Sequence, residues 1–131
     1  MTGAAAGGPR GVLRVVDLAD KLDRVSEHWS PKVVAELNGQ HVRVAKLLGE
    51  FAWHSHAEED ELFLVVHGRL VIQLRDGEVA LEPGQLVVIP RGVEHRPVAE
   101  HEVHVVLFEP ASTVNTGDAD DPRRVEDPDA I

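Results

Sequence analysis

The segment GEFAWHSHAEEDELFLVVHG, residues 49–68, contains two histidines one residue apart, four acidic residues within five positions, and then an apolar run. Side chains two residues apart on a strand point to the same face, so His54 and His56 are predicted to project together. The AEED stretch predicts a turn, and Glu61 begins the next strand, where antiparallel pairing would return its carboxylate to the histidines. Two histidines and a carboxylate can occupy one face of a transition metal ion, so the segment predicts a metal site.

A fourth candidate ligand follows in GQLVVIPRGVEH, residues 84–95. One strand is predicted to end at Pro90, a turn follows at Gly92, and His95 opens the next strand. The residues alone leave the carboxylate ligand open, because three further acidic side chains precede Glu61. Those three lie in a predicted turn, and turn residues are more often exposed to solvent. These are Glu58, Glu59 and Asp60.

From Ser30 to Pro110 the chain consists of short runs rich in Val, Leu and Ile, separated by turn residues. Asn38-Gly39 and Asp76-Gly77 predict two-residue hairpins, because both dipeptides tolerate the positive φ angles of such turns. Six or more short strands without a long helical segment between them predict an antiparallel sandwich or barrel. A short amphipathic helix is predicted ahead of them, over residues 15–25.

The two ends of the chain differ in composition from the strand-rich part. Residues 1–11 are small and glycine-rich, which predicts a disordered leader. Residues 111–131 are polar and acidic and contain prolines, which predicts an extended or disordered tail. The predicted barrel domain therefore occupies residues 12–110.

Length and charge exclude several classes of function. A chain of 131 residues is the size of one domain, and the absence of cysteine excludes disulfides and a thiolate zinc site. A net charge of −10 argues against a nucleic-acid or anionic-membrane surface. The apolar runs are much shorter than the roughly 20 residues that span a bilayer, and the N-terminus lacks a continuous apolar signal region, so the expected location is the cytoplasm.

The spacing of glycines, histidines and a glutamate resembles the two conserved motifs of the cupin superfamily. The first motif contains Gly49, His54, His56, Glu61 and Gly68, and the second contains Gly84, Pro90, Gly92 and His95. The resemblance implies an all-β, double-stranded β-helix (jelly-roll) barrel with a short N-terminal helix, similar to the group often labelled sugar-phosphate-isomerase-like. It also implies that His54, His56, Glu61 and His95 hold one divalent metal ion. The chain departs from the usual pattern at Gly49, which is one residue nearer the histidines, and at Ala99, where asparagine is frequent.

The ligand set does not select the metal, since histidine and carboxylate suit Mn, Fe, Ni, Co, Cu or Zn. Coordination requires unprotonated imidazoles, and the ordinary pKa of histidine is near 6.5. Three imidazole protons should therefore compete with the metal, and affinity should fall steeply below about pH 6.

Two classes of function are compatible with such a site. Cupins include isomerases, lyases, decarboxylases and dioxygenases, so the resemblance implies a metal-dependent enzyme acting on a small oxygenated metabolite, such as a sugar derivative. The alternative is a non-catalytic module that binds or senses a small molecule. Candidates to bind a substrate phosphate are Lys46, Arg75 and Arg91. Candidate acids or bases are Glu50, Glu102 and His104, of which His104 is a weak catalytic candidate.

Self-association is the remaining expectation. A small sandwich exposes an edge strand and an apolar outer face, and the early segment with Trp29, Val33 and Val34 is a candidate to cover a neighbour. Because cupins commonly pair in this way, we expect a homodimer.

Overall fold

The computed structural model describes residues 13–131, so the predicted leader at residues 1–11 lies outside the described residues. The helix is shorter than predicted. Helix α1 covers Leu18–Asp23, and the Asp17 side chain caps it by accepting a hydrogen bond from the Asp20 amide at 3.2 Å. Val15 precedes the helix and is 97% exposed, so the apolar stripe begins only at Leu18. No helix among residues 13–131 has the length and apolar character needed to cross a membrane.

Seven antiparallel strands form the rest of the fold, and the predicted all-β jelly-roll barrel is confirmed. The strands are β1 (Lys32–Leu37), β2 (Gln40–Glu50), β3 (Glu61–His67), β4 (Leu70–Leu74), β5 (Gly77–Leu81), β6 (Leu86–Ile89) and β7 (His95–Pro110). The main order is β1-β2-β7-β3-β6, and β4 pairs with both β5 and β7. The long β7 strand pairs with β4 near its start and with β3 near its end, while β2 follows its other edge.

Both predicted hairpins are present, but glycine belongs to the turn in the first and to the strand in the second. Asn38 and Gly39 have φ angles of 50° and 75° and join Leu37 to its partner Gln40, as the dipeptide predicts. In the second hairpin Leu74 pairs with Gly77, so Gly77 belongs to β5 and its φ is not positive. The predicted reason for the second turn was therefore wrong, although the hairpin exists.

The sheet buries apolar side chains on both faces. The inner cluster fills the barrel and includes Phe63, Val65, Val103 and Val105. A smaller outer cluster lies under the helix, with Leu22, Val25, Val44 and Val106 at its centre. Alternation along β7 separates the two sets, because Val105 points into the barrel while its neighbour Val106 points to the helix.

A buried arginine attaches the C-terminal segment to the barrel. Arg43 on β2 is fully buried, and its guanidinium donates to the Glu109 carboxylate at 2.7 Å. It also donates to the carbonyl oxygens of Thr113 and Ala111, at 2.8 and 3.1 Å. Residues 111–131 were expected to be extended or disordered; here they form irregular turns packed against the barrel.

The residues expected to cover a neighbour are buried within the same chain. Trp29 stacks on Phe51 with ring centroids 4.5 Å apart, and Val33 bonds to the carbonyl of Asp129. Both Trp29 and Val33 are buried. Trp29 and Val33 therefore pack against the barrel and the C-terminal segment of the same chain, while Val34 is half-buried. The homodimer stays a prediction.

Candidate metal centre

The first two histidines lie in an irregular extended segment and not in the predicted strand. His54 forms a single bridge with His95, in which each amide donates to the other's carbonyl, at 3.0 and 2.9 Å. The His56 carbonyl accepts a hydrogen bond from the Gly92 amide at 2.8 Å. The segment is thus held against the Gly92 turn and the start of β7.

Glu61 reaches the site by a different route from the one predicted. It begins β3, whose neighbours are β6 and β7, so it does not pair with the segment that contains His54. Glu61 lies opposite Ile89 at the end of β6, immediately before the turn that leads to His95. Curvature of the barrel, and not a shared hairpin, therefore brings the carboxylate to the histidines.

All four predicted ligands converge inside the barrel. His54, His56, Glu61 and His95 are each at most 4% exposed, and one ligand atom from each lies within 4.8 Å of the others. The Nε2 atoms of His56 and His95 lie 3.4 and 3.5 Å from Glu61 Oε1. Donor atoms that each stand about 2.1 Å from one ion in a tetrahedral site are about 3.4 Å apart, so these separations suit a shared metal.

Backbone carbonyls orient two of the imidazoles. His54 Nδ1 donates to the Ala52 carbonyl, and His95 Nδ1 donates to the Val93 carbonyl, both at 2.9 Å. A carbonyl can only accept, so Nδ1 carries the proton and Nε2 of the neutral ring presents a lone pair. This is the arrangement that fixes a metal-binding histidine in proteins.

Three of the convergent atoms have no hydrogen-bond partner among residues 13–131: His56 Nε2, His95 Nε2 and Glu61 Oε1. Buried polar atoms are nearly always paired, because leaving one unpaired costs free energy. A cation at the centre of the cluster would satisfy all three atoms. The residues therefore fit a divalent metal ion by chemistry as well as by position.

The surroundings shift the pKa values of the cluster in different directions. Burial, reinforced by the nearby His95, lowers the pKa of His54 to about 4. Burial also acts to lower the pKa of His56, but contact with Glu61 outweighs it and the net shift is upward. Burial acts to raise the pKa of Glu61, but His56 and His95 outweigh it and hold the carboxyl well below its ordinary value.

The neighbouring acids in the AEED turn point away from the cluster. Asp60 accepts a hydrogen bond from the Arg91 amide at 2.9 Å and pairs with its guanidinium. Glu59 accepts from the Ser112 hydroxyl at 2.7 Å, and Glu58 is exposed. Of the four acidic residues, Glu61 alone faces the three histidines.

The structure does not place the predicted acids and bases in the site. His104 lies on the outer face of β7, where its Nε2 is 2.9 Å from Glu102 and its ring neighbours His67. Glu102 also contacts His28 at 2.8 Å, and Glu50 pairs with Arg96 at the surface. The weak catalytic prediction for His104 was wrong, because on β7 the inward positions are Val103 and Val105.

The predicted phosphate-binding residues are also elsewhere. Arg75 stacks over Trp53 at 3.9 Å, Arg91 pairs with Asp60, and Lys46 lies opposite His104 on the outer face. Among residues 13–131, no lysine or arginine lines the cavity beside the four ligands.

Sequence reasoning missed a second buried carboxylate beside the cluster. Glu109 is 1% exposed and lines the same cavity, and its Oε1 has no hydrogen-bond partner in the described part of the chain. Burial and the charge of Glu61 raise its pKa well above the ordinary value, against the opposing effect of Arg43. Alternation could have revealed it, because Glu109 shares the inward phase of Val105 and Leu107.

The cavity itself is small and mostly apolar. Its volume is about 40 Å³. Its walls come mainly from Trp29, Leu47, Phe51, Phe63 and Leu107, with His54, Glu61 and Glu109 as polar groups. The site thus combines a cluster that can hold a metal with a compact apolar chamber.

A small jelly-roll barrel with a buried cluster of three histidines and one glutamate is the class that fold and site define. The cupin domain family matches residues 40–109, more than half of the chain. The chain therefore belongs to the cupin family.

Solved structures and a curated relative agree with this assignment. A cupin-2 domain protein from Shewanella frigidimarina is 44% identical, with a TM-score of 0.72 over 73% of this chain and 94% of that one. A protein from Neisseria meningitidis is 30% identical, with a TM-score of 0.68 over 73% and 98%. The uncharacterized protein YdbB of Bacillus subtilis is 39% identical over 75 residues, 56% of this chain and 66% of the relative. The match thus spans just under two thirds of that relative.

Proposed function

We propose that His54, His56, Glu61 and His95 together bind one divalent metal ion, and that the protein is a cytoplasmic metal-dependent enzyme acting on a small oxygenated metabolite. The observation that carries the proposal is the set of buried, unpartnered ligand atoms that converge within 4.8 Å. The donor set leaves Mn, Fe, Ni, Co, Cu and Zn as candidates.

Metal content should depend on these four residues. Replacing His54, His56 or His95 by Ala should weaken binding by more than the roughly 10–100-fold that loss of an outer partner costs, and Glu61→Gln should weaken it by removing the anionic ligand. The matched controls Glu58→Gln, Glu59→Gln and Asp60→Asn should retain metal, because those side chains face away. Metal per chain by plasma mass spectrometry provides the measurement. Retention in Glu61→Gln with loss in Asp60→Asn would show that the carboxylate is misassigned.

The pH dependence should be shallower than three ordinary histidines would give. Metal binding requires neutral imidazoles, and His54 remains neutral until the pH falls to about 4. The raised pKa of His56 means that its imidazole is protonated at a higher pH than an ordinary histidine. Between pH 4 and 6.5, log Kd should therefore change by fewer than three units per pH unit, because His54 stays neutral over most of this range. Chelator competition across this range measures the slope, and a slope of three is incompatible with the structure.

The cavity narrows the class of substrate. Trp29, Phe51 and Phe63 line the cavity and suit an apolar body, while the Glu109 carboxyl, whose Oε1 has no hydrogen-bond partner, can form a hydrogen bond with a substrate hydroxyl. When bound, a divalent ion supplies a Lewis acid for a carbonyl or carboxylate oxygen, or a site for oxygen chemistry. Because no lysine or arginine of the described chain lines the cavity, we favour small unphosphorylated compounds over sugar phosphates.

Turnover assays distinguish this enzyme from a binding module. The metal-loaded protein should convert a member of a panel of keto acids, diols, small hydroxylated aromatics and unphosphorylated sugars, tested under air and under nitrogen. Phosphorylated analogues should be poorer substrates, and Glu61→Gln should abolish turnover. Tight ligand binding without turnover across the whole panel would instead support the sensing alternative.

We also propose that the protein forms a homodimer, with strand β6 as the contact surface. Strand β6 ends the main strand order, and its outward residues Leu86 and Val88 are 57% and 50% exposed. An apolar edge strand favours pairing with a second copy. The opposite edge, β1, is partly occupied by the bridge between Val33 and Ala130.

Sedimentation should give twice the chain mass of 14.3 kDa at micromolar concentration. Leu86→Glu and Val88→Glu should each shift the protein towards monomer, because a charge would be buried at the edge. The control Leu37→Glu changes a residue of β1 that is 46% exposed, and it should leave the dimer intact. A wild-type monomer would contradict the proposal.

A further inference from the structure

We propose that the C-terminal segment, residues 111–131, is a positioning element for the metal centre and fixes the His54 and His56 imidazoles from outside the barrel. The segment lies beyond residues 40–109, which the cupin family matches. The inference rests on the proposed metal binding, but its geometry does not, since every contact involved is made by the polypeptide itself.

The main contact is a two-way clamp on the residue between the two histidines. The Ser55 amide donates to Asp118 Oδ1 at 2.7 Å, and the Asp118 amide donates to the Ser55 carbonyl at 3.1 Å. The Ser55 hydroxyl adds a weaker bond to Asp118 Oδ2 at 3.3 Å. Both backbone groups of Ser55 are thereby fixed, which restricts the directions in which His54 and His56 leave the chain.

The clamp requires a residue without a side chain at position 117. A Cβ atom on Gly117 would overlap the Ser55 carbonyl and would lie 3.1 Å from His54 Cδ2. The φ angle of Gly117 is +54°, a left-handed backbone conformation that residues other than glycine rarely adopt. The space beside the Gly117 Cα is therefore already filled by the Ser55 carbonyl and the His54 imidazole.

A second contact supports His54 through Phe51. The Arg123 guanidinium lies 4.6 Å from the Phe51 ring centroid, and Phe51 packs edge-on against the His54 ring at 5.4 Å. Asp121 holds the guanidinium through two side-chain hydrogen bonds, at 2.9 and 2.8 Å. Arg123 also donates to the Glu50 carbonyl at 3.0 Å. The segment therefore contacts the His54 environment on two sides.

Asn115 connects the two contacts. Its Nδ2 donates to the carbonyls of Trp29 and Arg123, at 3.2 and 3.0 Å, and its Oδ1 accepts from the Val125 amide at 2.7 Å. Although Asn115 lines the cavity, these bonds use its amide to hold the segment in place. Its role is to position the segment and not to contact a ligand.

Affinity for Co²⁺, measured by chelator competition on the full chain, tests the proposal. Asp118→Ala and Gly117→Val should each weaken binding by roughly tenfold or more, as loss of an outer partner typically does. Both should also change the visible absorption bands of the bound Co²⁺. Asp118→Asn retains an acceptor for the Ser55 amide and should recover most of the affinity. The matched control Asp120→Ala removes the same charge from an exposed neighbour and should leave affinity unchanged.

A metal-free measurement separates this proposal from metal binding itself. Imidazole ¹H–¹⁵N spectra of the metal-free protein should show changed His54 and His56 resonances in Asp118→Ala, with those of the remote His104 unchanged. If the wild type binds no metal but these resonances respond, metal binding fails and the positioning role stands. If Asp118→Ala only lowers the melting temperature, and affinity and resonances match the wild type, the segment is structural and the proposal is overturned.

Discussion

The reciprocal backbone hydrogen bonds between His54 and His95 are the interaction on which the site depends. They join an irregular segment to the start of the longest strand, at 3.0 and 2.9 Å. Next to this pair, the His56 carbonyl bonds to the Gly92 amide, and Glu61 reaches the cluster from the start of β3. The ligands therefore come from three separate parts of the chain, and their convergence requires the closed barrel.

The interior of the barrel buries two carboxylates, Glu61 and Glu109, and the guanidinium of Arg43. Glu61 and Glu109 lie close together, and Arg43 is the cation that contacts Glu109. Burial, reinforced by the charge of Glu61, raises the pKa of Glu109, whereas contacts with His56 and His95 outweigh burial and lower the pKa of Glu61. A cation at the histidine cluster would balance the charge of the ionised Glu61. The guanidinium of Arg43 already lies against Glu109.

Much of the fold could be predicted from sequence because its signals are local. The family resemblance implied all four proposed ligands, whereas the residues alone left the carboxylate open. His54 and His56 have the two-residue spacing of an extended chain, and Asn38-Gly39 has the φ preferences of its turn. The second hairpin shows the limit, since Gly77 lies in the strand and not in the turn. The sequence alone did not show which residues of β7 point into the barrel, so the position of His104 stayed open. In the structure Val103, Val105 and Leu107 point inward, and Glu109 lies on the same face.

The packing of the C-terminal segment was beyond such reasoning for a physical reason. Arg43 bonds to the carbonyls of Ala111 and Thr113, and Asp118 bonds to the backbone of Ser55. Backbone groups are present in every residue, so these contacts leave no pattern in the sequence. A polar, proline-containing segment has the composition of a disordered tail even where buried partners hold it.

The distance along the chain between Ser55 and Asp118, 63 residues, also bears on how the protein is made. Translation produces β1, β2 and the histidine segment first, and β3 to β7 are then made before the residues that clamp that segment. The clamp can therefore form only after every strand of the barrel has been synthesised. If the clamp positions the imidazoles as proposed, the metal centre is completed later in biosynthesis than the strands that surround it.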